Sequence, residues 1–81
     1  MKLYTLSIDN ETVVANTNRK QFDNEVKQQL SNDLLSSIES LIGHEEPIED
    51  LTIQYINLQK DKLDLLDLAH DMDYNFKIEN I

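Results

Sequence analysis

Apolar side chains recur at Phe22, Val26, Leu30, Leu34, Ile38, Leu41 and Ile42, mostly in steps of four and three, and this run constrains the chain more than any other feature. Such spacing lines one face of an α-helix. Asn16, Thr17 and Asn18 precede it as candidate N-caps, and Gly43 follows it, where a left-handed C-cap wants glycine. A helix over about 18–42 is predicted, roughly 35 Å long at ~1.5 Å per residue, which makes it the longest element of the fold.

Upstream, Leu3-Tyr4-Thr5-Leu6 with Ile8, and Thr12-Val13-Val14-Ala15, are rich in strand formers. Asp9-Asn10-Glu11 separates them, and Asp and Asn tolerate the left-handed backbone of a tight turn, so an antiparallel hairpin is expected. Downstream, residues 43–50 form an acidic loop holding the only Gly and the only Pro. Residues 51–81 carry two periodicities. One reading makes 51–58 a strand, from its β-branched and aromatic content, then a helix capped near Asp61 and running to Met72, then a strand over Tyr74–Ile78. The other takes Ile48, Leu51, Tyr55, Leu58, Lys62, Leu65, Ala69, Met72 and Phe76 as one long helix with alternating steps of three and four. The first is preferred, because Thr-Ile-Gln-Tyr-Ile-Asn is a poor helix interior. The expected fold is α+β, a small β-β-α-β-α-β domain with helices on one face of a short sheet; the alternative is an N-terminal hairpin with a two-helix antiparallel hairpin.

A chain of 81 residues makes a single domain, 1–81, with a thin core and no room for a deep cleft between lobes. With 40% hydrophobic residues it is globular. The lack of Cys excludes a disulfide scaffold and Cys-based zinc sites. One glycine cannot build a phosphate-cradling loop or a nucleophile elbow. Ser36, Ser37 and Ser40 fall on the long helix with no base nearby in sequence. Of the two histidines, His44 and His70, the second falls within two helical turns of Asp67, Asp71 and Asp73, but a transition metal prefers more nitrogen or sulfur ligands than this group offers, and the calcium-loop spacing of alternating aspartates is absent. The expectation is a non-enzymatic protein with no cofactor and no metal. Neither a signal peptide nor a run of ~18–20 apolar residues is read in the sequence, so a cytoplasmic location is expected, the host cytoplasm if the chain is phage-encoded.

The formal net charge of −9 is unevenly placed. Residues 1–44 hold six acids against four bases, and residues 45–81 hold ten against three. Two clusters carry the excess: Glu45, Glu46, Glu49 and Asp50 in the loop, and Asp61, Asp64, Asp67, Asp71 and Asp73 beyond it. Asp64, Asp67 and Asp71 step by three and four, which places them on one helical stripe, with Asp61 a turn earlier. Neighbouring carboxylates on a helix repel by roughly 0.2–0.5 kcal/mol per pair, and a helix C-terminus disfavours negative charge. Such a charge repels nucleic acid and anionic membrane, so the expected partner is a basic protein surface, with no direct nucleic acid and no membrane. Carboxylates ~5–6 Å apart along a helix approximate phosphate spacing, which suits a nucleic-acid mimic. In size, charge and composition the chain is similar to the small acidic inhibitors of phages and mobile elements, among them anti-restriction, anti-CRISPR and glycosylase-inhibitor proteins, with no motif that ties it to one of them. The expected function is therefore an inhibitor that occupies a basic nucleic-acid-binding surface. The alternative is a small adaptor or homodimer meeting its partner through Tyr55, Tyr74 and Phe76, with the acidic face serving solubility alone.

Overall fold

The computed structural model describes residues 1–43 and 48–81. The chain runs β1 (Lys2–Ile8), β2 (Glu11–Asn16), α1 (Arg19–Leu41), α2 (Glu49–Gln59), α3 (Leu65–Asp71) and β3 (Asn75–Asn80). The strands form one antiparallel sheet in the order β2-β1-β3. α1 and α3 pack on one face of it and α2 packs beside them against α1, in a slab of 48 × 27 × 15 Å. This is the α+β architecture expected, two layers thick. No helix among the described residues is long and apolar enough to cross a membrane.

The hairpin turns on Asp9 and Asn10, both left-handed (φ 52° and 65°), which matches the right-handed twist of the flanking strands. A bulge leaves Val13 unpaired between the Leu6–Val14 and Ser7–Thr12 pairs, so two successive valines reach the core. Asn18 caps α1 by accepting from the Gln21 N–H at 3.1 Å. Phe22, Val26, Leu30 and Leu34 are buried along the helix. Phe22 sits between the rings of Tyr4 and Phe76, with centroids 5.8 and 5.6 Å away, over the fully buried Leu6 of the central strand. Gly43 follows α1 at φ 89°, the left-handed residue the sequence asks for.

The strand expected over 51–58 is instead helix α2. Its Leu51, Tyr55 and Leu58 step by four and three, and they meet α1 and the core. A β-branched residue costs a helix at most ~0.7 kcal/mol, whereas burying one large apolar side chain contributes about 1.5–3 kcal/mol. Packing therefore overrides propensity. The hydroxyl of Thr52 donates to the Ile48 carbonyl at 2.9 Å, which accommodates it inside the helix. Nor does one helix run on from 48 to 76. α2 ends at Lys60 because Asp61 is left-handed (φ 56°): the Lys62 N–H reaches the Asn57 carbonyl at 2.9 Å, and the Asp61 N–H that of Leu58 at 3.2 Å. That pair of bonds closes a helix end. Asp61 thus terminates α2; it does not cap α3, whose N-cap is Asp64.

Candidate protein-binding surface

Among the described residues, the acids of 48–81 other than Glu79 of β3 sit at helix ends. Glu49 and Asp50 occupy the first turn of α2, where the helix dipole favours carboxylates. Asp64 caps α3 by accepting from the N–H groups of Leu66 and Asp67, each at 3.1 Å, and Asp67 lies in the first turn of that helix. Asp71 ends α3. Asp73 follows at φ 69°, with its own N–H on the His70 carbonyl and the Tyr74 N–H on that of Ala69, each at 3.0 Å. α3 therefore closes as α2 does, with an aspartate where glycine is usual. Glu45, Glu46 and His44 lie outside the described residues.

Asp64, Asp67 and Asp71 come together. They rim one shallow depression whose other walls are Gln54, Leu63 and Leu68, and all three are exposed. Asp61 does not extend their row. Its carboxylate turns to α1 and pairs with Lys27 at 2.9 Å. The only other ion pair among the described residues is Arg19–Asp23, also 2.9 Å. Glu49, Asp50, Asp64, Asp67, Asp71 and Asp73 thus face solvent with no basic side chain at ion-pair distance among the described residues. His70, in the last turn of α3, is exposed. Among the described residues, no three His, Asp or Glu are placed to hold a metal ion.

The aromatic alternative fares differently. Tyr74 is buried, at 6% exposure, with its hydroxyl donating to Asp33 and accepting from Gln29 at 3.3 Å. Burial, then the bond to Asp33, raises its phenol above the ordinary value of 10.0. It pins the α3–β3 junction to α1 and offers no docking surface. Phe76 is partly buried against Phe22 and lies under the Arg19 guanidinium, 5.5 Å from its ring centroid, while Tyr4 takes the same cation at 5.3 Å. Tyr55 is partly buried and lines the groove between α1 and α2. Neither polar knot shows in the sequence: Asp33 and Tyr74 are 41 residues apart, and nothing local marks Arg19 as lying over rings. No protein-family model, no curated protein and no solved structure matches this chain.

Proposed function

We propose that this protein is a small acidic inhibitor that occupies a basic nucleic-acid-binding surface of a host defence or nucleic-acid enzyme, as a nucleic-acid mimic from a phage or mobile element. The observation that carries the reading is the row Asp64, Asp67 and Asp71: exposed, on the rim of one depression, with no compensating base among the described residues. Asp67 and Asp71 are one helical turn apart, about 6 Å, close to the phosphate spacing of a strand. Glu49 and Asp50 at the start of α2 and Asp73 beyond α3 add to the same negative field. Asp64 and Asp67 also serve the helix N-terminus, so their placement is partly structural. Asp73 closes α3 through its left-handed backbone, but the carboxylates of Asp71 and Asp73 serve no N-terminus, since they stand at the end of the helix where the dipole opposes them.

The test is the triple variant D64N/D67N/D71N. Asparagine caps a helix as well as aspartate does, so α3 keeps its cap while the row loses its charge. Tagged wild-type and variant proteins are used to capture partners from lysate of the host at low and high salt. The wild type is expected to retain a basic nucleic-acid-binding protein at low salt and to release it to added nucleic acid; the variant is expected to retain none. Equal capture by a folded triple variant would sink the proposal.

A further inference from the structure

We propose that β3 is a dimerisation edge, along which two copies of this chain join their sheets in antiparallel register about Ile78. The proposal is independent of the acidic surface. Among the described residues nothing pairs with the outer edge of β3, and five of its six residues are exposed. The orientation of its free backbone groups follows from the register. β3 pairs with β1 as Leu3–Glu79, Thr5–Lys77 and Ser7–Asn75, and the Ile81 N–H donates to the Met1 carbonyl at 2.9 Å. Hydrogen-bonded pairs alternate along an antiparallel ladder. The odd-numbered residues of β3 therefore spend their polar groups on β1, and Phe76, Ile78 and Asn80 point theirs outward.

A second β3 laid antiparallel on those groups pairs Ile78 with Ile78 of the other copy and Phe76 with Asn80. Lys77 then stands directly opposite Glu79 of the other copy, and Glu79 opposite its Lys77. These fall at the non-hydrogen-bonded positions, where facing side chains are closest. The interface is thus self-complementary, as a two-fold contact must be. Sliding the copies one step either way sets Lys77 against Lys77 or Glu79 against Glu79, so the charges select this register. Ile78, 48% exposed on the helix side of the sheet, would be covered by its mate. The other edge, β2, is poorly suited: the Val13 bulge breaks its regularity, and bulges are a common means of keeping an edge from pairing. A lone lysine on an edge usually blunts it; here the glutamate two residues on turns it into half of a matched pair.

The test is mass in solution, by sedimentation equilibrium on the full chain up to high micromolar concentration. The wild type is expected to approach twice the 9.5 kDa of one chain. E79K sets lysine against lysine and is expected to weaken association about tenfold or more. The exchange K77E/E79K restores opposite charges and is expected to restore the dimer. Within one copy these side chains stand opposite Thr5 and Leu3, so neither change disturbs β1–β3. I78P removes an outward N–H that no β1 carbonyl uses, and it is expected to give a folded monomer. A wild type that stays monomeric throughout overturns the proposal, as does a folded K77E/E79K that fails to regain the dimer or an I78P that keeps it.

Discussion

Tyr74 shows how one buried hydroxyl ties distant parts of this chain together. Its ring closes the core and its hydroxyl donates to Asp33 and accepts from Gln29, both on α1, so the bond to a carboxylate is the stronger of two that hold α1 to the α3–β3 junction. A hydrogen bond to a charged acceptor contributes about 1.5–3 kcal/mol, and Asp33 is partly exposed and regains water when the bond is lost. Y74F is therefore expected to lower stability by about 1–2 kcal/mol at pH 8. The same bond sets an alkaline limit. Below pH 10.0 the phenol is protonated in both the folded and the unfolded chain, and stability does not depend on it. Above pH 10.0 the unfolded chain gives up the proton first, because burial and Asp33 raise the folded value, and stability falls as pH rises. Urea midpoints at pH 8 and near pH 11 check this: the wild type should lose more than Y74F across the interval, and an equal loss would mean that Tyr74 is not the group that titrates.

At the scale of elements, α1 and the hairpin were legible because each is marked by more than one signal. α1 has its apolar stripe, Asn18 before it and Gly43 after it; the hairpin has Asp9-Asn10 between two strand-forming runs. α2 was not, because Thr52, Ile53, Tyr55 and Ile56 resemble a strand and what makes them helical is the face of α1, which a local reading does not contain. Ile53 and Ile56 stay 54% and 44% exposed on the side away from the core, which is why their strand-like character misleads. The helix ends were half-legible. Gly43 announces itself; Asp61 and Asp73 do the same work as left-handed residues but read as ordinary acids. The same fact explains why the acidic stripe was only partly legible: Asp64, Asp67 and Asp71 do gather, and Asp61 is diverted to Lys27. Asp73 also allows folding to be separated from binding. Glycine is at ease at φ 69° and brings no charge to the end of α3, so D73G is expected to stabilise the protein by about 0.5–1 kcal/mol. If the negative surface engages a basic partner, that more stable variant should bind it less well. A loss of stability in urea melts would show that the carboxylate has a favourable contact in the fold.

On the scale of the whole molecule, the charge of −9 makes salt act in opposite directions on folding and on binding. Two ion pairs among the described residues, Lys27–Asp61 and Arg19–Asp23, offset little of it, and both lie near the surface, where such pairs contribute at most about 1 kcal/mol. The dominant long-range term within the fold is therefore repulsion among carboxylates, which compaction increases. Sodium chloride shortens the Debye length from about 30 Å at 0.01 M to about 10 Å at 0.1 M, well below the 48 Å length of the molecule. Stability is expected to rise by on the order of 1 kcal/mol over that range as repulsion is screened. A basic partner responds in the other sense: the attraction that is screened is now the favourable one, and affinity is expected to fall about tenfold or more between 0.05 and 0.3 M salt. Urea melts and binding isotherms in the same sodium chloride series measure both. Sodium chloride is the appropriate salt, since sulfate would strengthen apolar burial and raise stability whatever the charge. Stability that rises while affinity falls is the signature of a surface whose charge serves a partner at the expense of the fold. Affinity that holds steady across the series would place the contact on the apolar residues instead, and Ile53 and Ile56 on the outer side of α2 would be the first to examine.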